Sequence, residues 1–138
     1  MTDTWIQDAI KYWEAENTIL PPGSDLNSIT SLEKELGIKL PADFIEFYLI
    51  VNGFKNLSVN NNLFCIWPIE KIKEDYLVSD NKNFLAFCDY MIASHTIGLS
   101  KNSDGVFNDF DLEKPIVASF KEFIYFINSP LTDPRFIK

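Results

Sequence analysis

Apolar residues in the first half of the chain recur every three or four positions, the spacing that lays them on one face of a helix. Ile6, Ala9, Ile10 and Trp13 form such a face in a first helix that begins almost at Met1, mixed with Asp3, Asp8, Lys11 and Glu14. Pro21-Pro22-Gly23-Ser24 interrupts the pattern, because consecutive prolines followed by glycine extend no helix. Ile29, Leu32 and Leu36 define a second helix. Gly37 stands where a left-handed C-terminal cap belongs, and Ile38 is placed to fold back onto the last turn. A third helix starts at Pro41, whose missing N–H costs nothing at a first helical position, and Asp43 puts negative charge in the positive first turn. Phe44, Phe47, Tyr48 and Val51 carry its apolar stripe until Asn52 and Gly53, residues tolerant of positive φ.

After Gly53 the period shortens and the chain reads as a sheet. Asn56 and the Asn60-Asn61-Asn62 run mark turns, and Leu63 to Trp67 is a compact apolar strand. Phe84 to Cys88 and Thr96 to Leu99 are further strands, Ser103-Asp104-Gly105 turns into Val106 to Phe110, and Ile116-Val117-Ala118 is a last short strand. Ser119 and Glu122 form a capping box ahead of a closing helix with Phe120, Phe123, Ile124 and Ile127 on one face, and Ser129-Pro130 ends it. Helices, then strands, then a helix predict an α+β fold: one domain over residues 1–138, with a mostly antiparallel central sheet and the N-terminal and C-terminal helices packed against it.

Composition adds a core and removes several functions. At 138 residues and 46% hydrophobic content, with twelve phenylalanines, the chain can bury one largely aromatic core without staples. Its start is neither basic nor continuously apolar, so no secretory leader is expected, and no window approaches a membrane span; a soluble, cytoplasmic protein follows. Cys65 and Cys88 lie singly inside apolar runs and read as buried, reduced thiols. His95 is the only histidine, too few for a zinc site of nitrogen and sulfur ligands. The net charge is −8, and residues 1–50 hold nine acidic against three basic side chains. Such a field repels nucleic acid and anionic membrane and attracts a basic partner.

Catalytic chemistry finds little support. Ser94 and His95 are adjacent, so in a strand they point to opposite faces, and no serine elbow or phosphate-cradling glycine loop occurs; no cofactor is expected. Asp109, Asp111 and Glu113 alternate, and in an extended segment they would share one face, open to a divalent cation, to acid–base work, or simply to water as edge-strand carboxylates.

Ile29, Glu33, Leu36, Gly37, Leu40, Pro41, Phe44, Phe47, Asn52 and Gly53 are spaced as in the signature of the SUKH superfamily, which the chain resembles. That superfamily includes bacterial immunity proteins of toxin systems and fungal regulators of cell-wall assembly. Trp67-Pro68-Ile69-Glu70-Lys71-Ile72 resembles its strand leading into a short helical turn, and Ser119-Phe120-x-x-Phe123-Ile124 its last helix. Around Cys88 to Met91, where many members carry a glycine-rich acidic turn, this chain has no glycine. The resemblance implies a non-enzymatic binding module, an immunity protein that neutralises a nuclease-like, basic toxin domain, with Asp89, Asp104, Asp109, Asp111 and Glu113 as an acidic docking patch. A regulatory adaptor and a small carboxylate-dependent enzyme are the competing readings. The protein is expected as a monomer or weak homodimer, the latter through exposed aromatics such as Trp5 or Phe136.

Overall fold

The computed structural model describes residues 4–91 and 94–129. Three helices come first, α1 (Trp5–Ala15), α2 (Leu26–Leu36) and α3 (Ala42–Ile50), followed by a short 3-10 turn at Lys55–Leu57. Strand β1 (Phe64–Ile66) leads through α4 (Ile69–Val78) to β2 (Phe84–Tyr90), β3 (His95–Ser100) and β4 (Val106–Asn108), and α5 (Phe120–Ile127) closes the order. The four strands form one antiparallel sheet in sequence order. This is the α+β architecture that the periodicities predict. None of the helices in the described residues is long and apolar enough to cross a membrane.

The core is built from rings. The Phe120 ring of α5 meets Phe44 and Phe47 of α3 at 5.0 and 5.3 Å, and Phe87 of β2 at 5.2 Å. Trp13 of α1 lies edge-on to Phe47 and Phe54 at 5.9 and 4.9 Å. Each such ring removes a large apolar area from water, about 1.5–3 kcal/mol apiece, so the sheet face bearing Phe87 is fixed to the helices by aromatic packing. Cys65 and Cys88 are free and buried in this core.

The punctuation of residues 29–53 is visible in atoms. Gly37 caps α2 at φ 65°, and the Ile38 N–H donates to the Glu33 carbonyl. Glu33 also turns its carboxylate forward, where Oε2 accepts the Leu40 N–H at 2.7 Å, so the link to Pro41 is held by the helix it follows. Asp43 accepts the Phe44 N–H at 2.9 Å through one oxygen and the Lys121 N–H of α5 at 2.9 Å through the other. Asn52 Oδ1 accepts the Ile69 N–H at 2.8 Å, capping α4 from outside its own element. Gly53 is required twice: its φ is 69°, and a Cβ there would stand 2.4 Å from the Trp67 carbonyl carbon.

Several expectations are corrected. The helical turn after Trp67 is a full helix of ten residues, with Ile69, Ile72 and Tyr76 buried along one side. Strand β4 ends at Asn108 rather than Phe110, and Ile116 to Ala118 contributes only a single bridge, Val117 to Val106. Trp5 is 2% exposed, its indole donating to Glu46, so it offers no surface for self-association. Phe136 and Pro130 lie outside the described residues. Ser119 does cap α5, accepting the Glu122 N–H at 3.1 Å, while Glu122 returns to the Ala118 N–H at 3.2 Å.

Candidate functional site

The five nominated carboxylates do not form one patch. Asp89 is 6% exposed in β2 and accepts the Trp67 indole N–H at 2.6 Å, because its position opposite Cys65 and Thr96 places it inside the sheet. It braces Trp67, the residue after β1, to β2 and does not reach the exterior. Asp104 is exposed in the connection between β3 and β4. Asp109, Asp111 and Glu113 follow β4 at the other end of that hairpin.

Those three are not on an extended segment either, which removes the shared face that metal or acid–base readings required. Asp109 folds back on β3: its N–H donates to the Thr96 carbonyl at 3.0 Å, and its Oδ2 accepts the Thr96 N–H and hydroxyl at 3.0 and 3.1 Å. The Asp111 N–H donates to the Asn108 carbonyl at 3.2 Å, closing a tight turn. Asp111 Oδ1 then accepts the N–H groups of Glu113 and Lys114 at 3.2 and 3.1 Å. The strand stops because an aspartate side chain replaces the next ladder bond. Among the described residues no group of three or more His, Cys, Asp or Glu is placed to hold a metal ion.

The turn presents Phe110, 59% exposed, between Asp109 and Asp111. Its ring is the outer member of a row that runs to the core. Phe123 meets Phe64 at 5.9 Å, Phe64 meets Tyr90 at 4.8 Å, Tyr90 meets His95 at 5.3 Å, and His95 meets Phe110 edge-on at 5.3 Å. Burial lowers the His95 pKa below its ordinary value, while the Asp109 charge and the Asn108 amide act in the opposite sense. The neighbouring Ser94 hydroxyl donates to the Met91 carbonyl, so it is not aligned with that imidazole for attack. The sequence holds no local signal for this row, which joins residues of β1, β2, β3, α5 and the turn after β4.

A second feature is an open groove of ≈ 910 Å³ between the α2–α3 link, the β3–β4 connection and the start of α5, floored by Leu85 and Leu99. Lys39 and Lys101 line it together with Asp43 and Asp104, so its charge is mixed. Of the first-turn N–H groups of α5, those of Lys121 and Glu122 are taken by Asp43 and Ser119.

The thiols are inert: burial first, and the Asp89 charge second, push Cys65 up to about 12, and burial drives Cys88 upward too. What remains is a braced scaffold with acidic turns outside it.

No curated protein matches the chain at a significant level. The family model SMI1 / KNR4 family (SUKH-1) matches residues 23–125, from the loop before α2 into the last turns of α5. Glu33, Gly37, Asn52 and Gly53, which cap and close the helices, all fall inside that span, and on it the chain belongs to the SMI1/KNR4 family (SUKH-1).

Proposed function

We propose that this chain is a non-enzymatic protein-binding module, an immunity protein that neutralises a cognate nuclease-like toxin by covering its basic site, acting as a monomer or weak homodimer. The observation that carries the reading is the distribution of charge over the scaffold. The α1–α3 half holds nine acidic against three basic side chains within residues 1–50. Asp8, Glu14, Asp25, Glu35 and Glu46 are exposed there, and Asp104, Asp109 and Glu113 are exposed on the hairpin side. Sites that grip phosphate backbones are cationic, so an acidic inhibitor gains steered encounter and complementary charge across the interface.

Co-expression with a nuclease-like toxin domain, taken from the neighbouring gene where that gene encodes one, tests this. Cells survive when the chain is present and die when it is absent; death in both cases removes the toxin reading. The regulatory-adaptor reading is separated from it by pull-down, which would return a partner that lacks enzymatic activity for the chain to inhibit.

A further inference from the structure

We propose that Phe110 is the anchor of the partner interface and seats a guanidinium-bearing loop of a basic protein, flanked by Asp109, Asp111 and Glu113. This rests on the protein-binding reading above and gives it a location.

Three observations converge on the corner. First, Phe110 exposes most of an aromatic ring yet is held in place, since its neighbours on both sides are pinned to backbone and its ring rests on His95. A ring ordered before binding loses little freedom on contact, which is the property of interface anchors. Second, the carboxylates of Asp109 and Asp111 are already oriented by their turn bonds. Asp109 uses Oδ2 and Asp111 uses Oδ1 for those bonds, and the companion oxygens lie outside them. Third, Asn108 beneath is fully buried beside His95, so the ring stands on a fixed support.

The chemistry of the occupant follows. A planar cation stacks on an aromatic face while its N–H fork meets carboxylates, which suits arginine better than lysine. Nucleic acid is excluded as an occupant by the like charge of the rim.

The test is titration of the 15N-labelled protein with the peptide acetyl-Gly-Arg-Gly-Arg-Gly-amide, and with its uncharged citrulline counterpart. The arginine peptide should shift the amide signals of His95, Thr96 and Asn108 to Glu113, and the citrulline peptide should bind more weakly. Phe110→Ala should weaken the arginine peptide about two- to fivefold, Phe110→Leu should do the same while keeping apolar bulk, and Phe110→Trp should retain binding. Shifts centred on α1 and α2, or unchanged affinity in both Phe110→Ala and Phe110→Leu, overturn the anchor. If the corner responds as stated but the chain fails to rescue cells from the toxin, the toxin reading alone falls; rescue without a corner response removes the anchor alone.

Discussion

Residues 29–53 and residues 109–113 use the same chemical group in opposite ways. In the first region the carboxylates of Glu33 and Asp43 point inward along the chain, accepting N–H groups of Leu40, Phe44 and Lys121. In the second, Asp109 and Asp111 also accept N–H groups, but their turn lifts Phe110 into water. A hydrogen-bonded carboxylate is therefore no sign of function in itself. What distinguishes the regions is the fate of the adjacent ring: Phe44 is buried against α5, and Phe110 is not.

Substitutions can break that comparison, and the scaffold side should respond most. Phe120→Ala removes the ring shared by α3, α5 and β2, and a loss of about 3–5 kcal/mol is expected in urea unfolding. Gly53→Ala combines a left-handed φ with a clash on the Trp67 carbonyl, for about 2–4 kcal/mol by the same measurement. A loss under that range would mean the α3–β1 approach relaxes easily. Glu33→Ala strands the Leu40 N–H and should remove about 1–3 kcal/mol, with Glu33→Gln milder because it keeps an acceptor. Equal losses in the two would show that the bond is not what matters.

The corner should respond to pH and to partners. His95 has a lowered pKa in the fold, so the unfolded chain takes up its proton first as pH falls. Its contribution is complete above the ordinary value of 6.5 and declines as pH drops toward the depressed one. His95→Gln should flatten that part of the stability–pH profile relative to the parent protein; an unchanged slope would place the proton uptake elsewhere. The smallest expected effect on folding is that of Phe110→Ala, within about 0.5 kcal/mol by urea unfolding, since the ring is mostly in water. A larger loss would make Phe110 scaffold and erase the contrast.

Legibility in the sequence divides along the same line. Ile29, Leu32, Leu36 and Gly37 announce α2 and its end because helix period and cap chemistry are local. Ser119 and Glu122 announce α5 for the same reason. Ile69, Ile72 and Tyr76 carry the helical period of α4, which runs on past the short turn that the family pattern implies. Alternation at Asp109, Asp111 and Glu113 misled because it presumes an extended backbone, and side-chain bonds to Thr96 end the strand first. Nothing local distinguishes Asp89 from an exposed acidic residue, because its burial depends on its register opposite Cys65. The row from Phe123 to Phe110 has no sequence period, since it depends on which strands become neighbours.

The meeting of α1 with α5 has a temporal consequence. The Trp13 indole donates to Asn128 at 2.7 Å across 115 positions, and Asn60 reaches the Ile127 carbonyl at 2.8 Å across 67. Closing loops of that length precedes the gain from the contacts they permit, which slows the search. During synthesis the early helices must wait, with Trp5, Trp13 and Phe47 incompletely covered, until the ribosome has released α5. Nascent chains stalled before Phe120 should accordingly be easy prey for protease and chaperone, and chains released past Asn128 should not.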